Sequence, residues 1–226
     1  RTFAFIRNGL SSGTLTEYAV QQQMVEWFGE LNLVSDCSPV VAVQENSGNP
    51  HYLPTNASHR AIGSEQVVLI DLWGKLDRTD SVYADITWVG YTGMTPHPKV
   101  SEIFGVARAA RDAAVDLVVE RVEAHHPIAG WEVDKAARTV ITDAGFGDRF
   151  IHRTGHNLGE EVHGNGAHMD DYETHDERRL IAGSGFTIEP GIYLEEFGVR
   201  TEINMYVSQD RASVTGPRQT ELTLLA

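Results

Sequence analysis

Two stretches of this chain each set a pair of carboxylates into β-strand composition on either side of a turn. The first runs Gln66-Val67-Val68-Leu69-Ile70-Asp71-Leu72-Trp73, passes through a polar segment from Gly74 to Asp80, and resumes as Ser81-Val82-Tyr83-Ala84-Asp85-Ile86-Thr87-Trp88-Val89. The second runs Gly185-Phe186-Thr187-Ile188-Glu189 and Ile192-Tyr193, turns through Glu195-Glu196-Phe197-Gly198, and returns from Val199 to Val207 with Glu202 inside it. In an antiparallel hairpin, residues equidistant from the turn face each other and point to the same side of the sheet. Asp71 and Asp85 are symmetric about Arg78, and Glu189 and Glu202 about Glu195 and Glu196, so each hairpin is expected to set two carboxylates side by side. Bare carboxylates at that distance repel and are costly to bury, and a bound cation is the usual remedy. Four carboxylates are balanced by two divalent cations, and oxygen-rich ligation with an added imidazole suits Mn, Co, Fe or Zn.

Helical patterns surround these hairpins. Thr16 is a plausible N-cap for a helix from Glu17 to Phe28, whose Val20, Met24, Trp27 and Phe28 share one face. A long apolar stripe (Val100, Ile103, Phe104, Ala107, Ala110, Ala114, Leu117, Val118) predicts a second helix from about Pro98 to Val122. A third is expected from about Glu132 to Ala144, with Gly145 as its stop. The chain therefore reads as two loosely similar halves, each a helix followed by a β-hairpin, and its class as α+β. No linker or low-complexity segment divides it, so residues 1–226 are expected to form one domain.

The imidazole is supplied by Thr154-Gly155-His156-Asn157-Leu158-Gly159-Glu160-Glu161-Val162-His163-Gly164, in which two histidines are flanked by glycines that permit close backbone approach. Ten histidines occur in all, and most, including His125, His126, His152 and His175, are expected at the surface. What singles out five candidate ligands is that they fall into matching places in two similar halves.

On these residues the chain resembles the pita-bread metallopeptidases, the family of methionine aminopeptidase, aminopeptidase P, prolidase and creatinase. The resemblance runs from about Gly13 to Val207 and implies a pita-bread fold: two pseudo-symmetric halves, antiparallel sheet and flanking helices. It implies two divalent metals, Mn foremost, with Co, Zn or Fe as alternatives, held by Asp71, Asp85, His156, Glu189 and Glu202. Asp85 and Glu202 would bridge the metals, Asp71 would complete one site, and His156 with Glu189 the other. A hydroxide shared by the metals would be the nucleophile, with Glu189 as general base and acid. His163 would stabilise the developing oxyanion, and His51, in Asn49-Pro50-His51-Tyr52, would sit near the scissile amide nitrogen. Arg200 and Tyr52 are expected on the substrate side. Asp176, Arg178 and Arg179 resemble a segment preceding the Glu-Pro-Gly strand, with a substrate role and a solvated charge cluster as equal alternatives.

The Glu189-Pro190-Gly191-Ile192-Tyr193 and Val199-Arg200-Thr201-Glu202 motifs are the versions of the proline-peptidase branch, so the implied reaction is hydrolysis before proline in Xaa-Pro peptides or dipeptides. Three features depart from that branch. The interval between Asp71 and Asp85 is long, implying an enlarged turn from Lys75 to Asp80; Trp88 stands where many relatives have Arg; and the usual N-terminal domain is absent from this sequence. The first residues, Arg1-Thr2-Phe3-Ala4, are neither an initiator Met nor a signal peptide, and are expected to mark a trimmed or processed piece of a longer protein.

Composition narrows the partners. The formal charge of −14 argues against non-specific binding to nucleic acid or anionic lipid. No run is apolar enough to span a membrane. The single cysteine, Cys37, excludes an internal disulfide and suits a reducing, cytoplasmic setting. A small peptide is the expected partner, with a homodimer left open. The alternatives are methionine-aminopeptidase-like specificity, a metal-dependent lyase on the same fold, and a binding module without catalysis. Creatinase-like and non-catalytic relatives lack metal ligands, and none is lost here.

Overall fold

The computed structural model describes all 226 residues. Four α-helices occur: α1 (Thr2–Gly9), α2 (Glu17–Glu30), α3 (Pro98–Glu123) and α4 (Gly130–Asp143). The strands are β1 (Leu33–Val34), β2 (Val40–Val43), β3 (Val67–Leu76), β4 (Ala84–Tyr91), β5 (Asn157–Leu158), β6 (Gly185–Ile188), β7 (Gly191–Tyr193), β8 (Gly198–Arg200), β9 (Ile203–Val207), β10 (Ala212–Val214) and β11 (Thr223–Leu224).

In the first sheet β1 and β2 both pair antiparallel with β3, which pairs with β4, and β11 closes the far edge in parallel. β3 is buried on both faces, and its two-residue period sorts its side chains between two cores. Val68 and Ile70 join Ile6, Val20, Met24, Val41 and Val43 beneath α1 and α2. Val67 and Leu69 join Val89, Tyr91 and the apolar face of α3 in the larger core, which extends through α4 to the second sheet. Fully burying a side chain such as Ile103 or Phe104 contributes roughly 1.5–3 kcal/mol, so packing of this face, more than propensity, holds α3 helical.

The second sheet has the order β10-β9-β6-β5, and β7 and β8 continue the β6/β9 hairpin past a break in both strands. The break has a local cause. Pro190 has no N–H to give to the ladder. The neighbouring donors turn elsewhere: the Glu189 N–H to the Thr154 carbonyl at 2.7 Å, and the Glu202 N–H to the Thr87 carbonyl on β4 at 3.1 Å. That last bond joins the two sheets.

The helical expectations hold with small shifts at the ends. The Thr16 hydroxyl accepts from the Ala19 N–H at 3.1 Å, as an N-cap should. α4 begins two residues earlier than expected, where the Glu132 carboxylate accepts from the Ala129 N–H at 2.9 Å. Gly145, at φ +85°, takes the left-handed conformation that ends this helix. Each half does place a helix before its hairpin. The fold class is α+β, with antiparallel sheets and flanking helices as expected.

The first hairpin requires a correction. Asp71 pairs with Thr87, and Asp85 with Trp73, so the register centres on Thr79 and not on Arg78. The two aspartates are diagonal neighbours on one face. Strand pairing also begins later than expected, at Ala84, because the Tyr83 N–H is taken by the Gly159 carbonyl at 2.9 Å. In the second hairpin, the Ile188↔Ile203 and Gly191↔Arg200 pairs bracket Glu189 and Glu202 as expected.

Candidate active site

The four carboxylates converge where the two sheets meet, on the walls of a cavity of about 500 Å3. Asp71 and Asp85 come from β3 and β4, Glu189 directly follows β6, and Glu202 directly precedes β9. His51, Tyr52, His156, His163 and Arg200 line the same cavity, so it gathers the five expected ligands and the expected substrate-side residues.

His156 is fixed by its neighbours. Its N–H donates to the Thr187 hydroxyl at 3.0 Å, and its carbonyl accepts from the Thr187 N–H at 2.9 Å. Gly155 is required beside it, since a Cβ there would lie 2.0 Å from the Thr187 carbonyl oxygen. Nδ1 lies 3.3 Å from the Asn157 carbonyl, which assigns the proton to Nδ1 and leaves Nε2 facing the acids. Nε2 is 3.5 Å from Asp85 Oδ2 and 3.4 Å from Glu189 Oε1.

Asp85, His156 and Glu202 bring one ligand atom each within 4.8 Å of one another. Asp85 Oδ1 and Glu202 Oε1 are buried with no hydrogen-bond partner. An orphaned buried oxygen costs free energy, and more so when it is charged. Two carboxylates and an imidazole at this spacing therefore fit a divalent transition-metal ion. Burial pushes the Asp85 carboxyl up to about 7, helped by Asp71 and Glu189 and opposed by the bond to His156. Glu202 is held well above the usual carboxylate range by burial, then by Asp85 and Glu189. Burial also raises Glu189, against the nearby His156 and Arg200. For His156 burial acts downward, but the bond to Asp85 and the charge of Glu189 outweigh it and the imidazole is raised.

Asp71 is differently placed. One of its oxygens pairs with the Arg200 guanidinium and the other lies 3.0 Å from the Thr87 hydroxyl. Arg200 also donates through Nε to the Thr87 hydroxyl and through Nη1 to the Tyr193 hydroxyl, each at 3.0 Å. Tyr193 donates to His152 Nε2 at 2.7 Å, and His152 Nδ1 donates to the Arg153 carbonyl at 2.7 Å. His152, expected at the surface, thus lines the cavity. Burial and the Arg200 charge lower its pKa to about 3.

His163 stacks edge-on against His156, with ring centroids 4.4 Å apart. Burial and the adjacent His156 lower it to about 4, so it is neutral near pH 7 and carries one N–H. His51 is exposed at the cavity rim. Tyr52 presents its ring, because its hydroxyl donates to Glu17 Oε2 at 2.6 Å. Glu17 is fully buried and takes four further hydrogen bonds: from the Val43 and Arg60 N–H groups at 2.7 Å, and to both oxygens from Asn46 Nδ2 at 3.0 Å. Asp176, Arg178 and Arg179 stand outside the cavity. Asp176 caps the His168 N–H at 2.8 Å and pairs with Arg178, which together hold its carboxyl down to about 2 against the effect of burial. This favours loop organisation over a substrate role.

Thr87 and Tyr193 were within reach of sequence reasoning, since both lie inside the motifs that carry the ligands. Arg153, a cavity-lining cation, had only its place beside Thr154-Gly155-His156 as a signal.

The α+β architecture, with carboxylates from two hairpins meeting one imidazole, is that of the pita-bread metallopeptidases. Residues 1–209 match metallopeptidase family M24, and the chain belongs to that family. It is 35% identical over 204 residues to an Xaa-Pro dipeptidase of Lactobacillus delbrueckii subsp. lactis, covering 88% of this chain and 49% of that protein. It is 32% identical over 184 residues to an Xaa-Pro dipeptidase of Pyrococcus furiosus, covering 81% and 48%. Among solved structures it superimposes on dipeptidase PepE of Mycobacterium ulcerans with a TM-score of 0.83 at 29% identity, covering 100% of this chain and 56% of that one. The prolidase of Thermococcus sibiricus gives a TM-score of 0.78 at 28% identity, covering 99% and 58%. The chain spans about half the length of the relatives it matches. No helix is long and apolar enough to cross a membrane.

Proposed function

We propose that this chain, as a catalytic domain spanning residues 1–226, carries the active site of a metal-dependent peptidase that hydrolyses the bond before proline in Xaa-Pro peptides. The observation that carries the reading is the pair of orphaned, buried oxygens on Asp85 and Glu202 beside His156. The Xaa-Pro dipeptidases among its relatives support the specificity.

Asp71, Asp85, His156, Glu189 and Glu202 would hold two divalent cations, Mn foremost. When bound, these acidify water enough to supply a nucleophile near neutral pH. The protein's own groups do the rest. Glu189, raised by burial, takes the water proton and returns it to the departing amine nitrogen. His163, neutral and beside His156, donates its N–H to the carbonyl oxygen as that atom gains charge. His51 at the rim stands by the amide nitrogen. Arg200 fixes Asp71 and, through Tyr193, His152. The free, exposed Cys37 is in keeping with a reducing cytoplasmic location.

Assay of the Mn-loaded protein against Leu-Pro, Leu-Pro-Gly and Met-Ala-Ser tests the reading. Hydrolysis of an Xaa-Pro peptide is expected. Cleavage of Met-Ala-Ser alone would move the chain to methionine-aminopeptidase-like specificity.

A further inference from the structure

We infer that the connection between β3 and β4 clamps the loop that carries His163, with Lys75 as a positioning residue for that histidine. The inference rests on the peptidase reading above and adds to it the residues that hold the proposed oxyanion donor in place.

The His163 ring meets the His156 ring edge-on, and no hydrogen bond within the protein fixes its tilt. Its position is therefore set by the backbone that carries it. The base of the loop is tied down locally. The Gly164 N–H donates to the Asn157 carbonyl at 2.8 Å, and the Asn157 side chain bonds the Gly166 N–H and the Gly185 carbonyl, each at 2.9 Å. The tip, from Gly159 to Val162, has one bond of its own, from the Gly159 N–H to the Glu161 carbonyl at 3.1 Å.

Three further contacts hold the tip, and all come from the segment between Trp73 and Tyr83. The Lys75 ammonium donates to the Glu160 carbonyl at 2.6 Å, a charge-assisted bond. The Tyr83 N–H donates to the Gly159 carbonyl at 2.9 Å. Val162, the residue before His163, is buried with Leu158 and Tyr83 in a small apolar cluster that Trp73 packs against, separate from the two main cores. Lys75 Nζ also lies 5.0 Å from the centre of the Tyr83 ring, so one cation joins two of the three contacts.

The base of the clamp is firm. The β3–β4 ladder ends at Gly74 and Ala84, but β3 runs on, and Lys75 pairs with Val34 on β1. Lys75 is not part of the cavity wall, so it reaches the chemistry only through the loop. Misplacing a reacting or stabilising group by about 1 Å can cost as much as 10²-fold in rate.

The experiment uses Lys75→Met, which keeps the stem and removes the ammonium. With Mn-loaded protein and Leu-Pro, kcat should fall about tenfold, part of the roughly 10²–10³ assigned to loss of the donor itself. KM and metal content should stay near wild type, and Lys75→Arg should recover most of the rate. In a His163→Ala background the same Lys75→Met change should have no further effect on kcat, as expected when one residue acts through the other. Proton NMR of the metal-free protein reads the clamp without catalysis. The His163 ring resonances, displaced by the adjacent His156 ring, should move toward those of a solvated imidazole in Lys75→Met and stay in place in Lys75→Arg. Equal losses of kcat with and without His163, or ring resonances unmoved in Lys75→Met, would overturn the inference. Failure of wild type to hydrolyse Leu-Pro would sink the peptidase reading, while the ring resonances still decide whether Lys75 holds His163.

Discussion

Thr87 and Glu202 hold each other twice across the junction of the two sheets. The Thr87 carbonyl accepts from the Glu202 N–H at 3.1 Å, and the Thr87 hydroxyl donates to Glu202 Oε2 at 2.8 Å. The same hydroxyl lies 3.0 Å from Asp71 Oδ1 and accepts from Arg200 Nε, so one buried oxygen ties carboxylates from both halves to one guanidinium. It also turns Glu202 so that Oε1 is left free.

Thr87→Val, which keeps the shape and removes the hydroxyl, should lower stability by about 1–3 kcal/mol, because three buried polar atoms each lose a partner. Thr87→Ser should recover most of it. Denaturant unfolding of the three proteins reads this directly, and a Val variant as stable as wild type would show that the hydroxyl contributes nothing.

Glu202→Ala should reduce metal content by at least one ion per chain. If Glu202 is shared between two cations, as the proposed centre has it, its deletion would withdraw a ligand from both. Elemental analysis after Mn or Co loading measures the ratio. If wild type itself retains no transition metal after such loading, the proposed centre is wrong.

His156→Ala and His163→Ala should part company although the two rings touch. The first should lose metal and activity together. The second should keep near wild-type metal and lose roughly 10²–10³ in kcat, the cost of one oxyanion donor, with KM little changed. Full metal and near-normal kcat in His163→Ala would reduce that histidine to a structural loop residue.

Asp85→Asn should stabilise the metal-free protein at pH 8. In the fold Asp85 titrates near 7, against 3.8 for the ordinary side chain. A carboxyl raised by folding holds its proton more tightly when folded, so its contribution is intact below pH 3.8. It erodes by about 1.4 kcal/mol per pH unit as pH rises through the window to 7. The amide carries no charge and escapes that loss, so the variant's advantage should shrink and vanish as pH falls toward 4. Chelator-treated samples unfolded at both pH values give the comparison, and a less stable Asn variant at pH 8 would contradict it.

Much of the site was legible because its signals are local. The second hairpin has a short turn, so counting outward from Glu195 and Glu196 gives the observed register for Glu189 and Glu202. The first has a long connection between β3 and β4, and nothing in Lys75 to Asp80 fixes its midpoint. The expected register was off by two residues, yet an even slip leaves Asp71 and Asp85 on the same face. α2, α3 and α4 announced themselves by period and caps. α1 did not: it is short and lacks a side-chain cap.

What stayed hidden depends on contacts distant in sequence. His152 looked like a surface histidine because the partner that draws it inward, Tyr193, lies 41 residues away. Lys75 carried no local mark, since its acceptor, the Glu160 carbonyl, lies 85 residues away. The hydrogen bonds that Glu17 receives from Val43, Asn46, Tyr52 and Arg60 are spread over 43 residues of sequence separation and carry no periodic mark.

Every one of those donors to Glu17 is uncharged, which has a consequence for recombination between relatives. The carboxylate opens α2, and its donors lie on the segment that carries His51 to the cavity rim. A chimera that joined α2 from one parent to residues 43–60 from another would enclose an anion among mismatched dipoles, with no cation to rescue it. The two pieces should therefore function only when exchanged together, and productive crossovers in this part of the gene should fall before Thr16 or after Arg60.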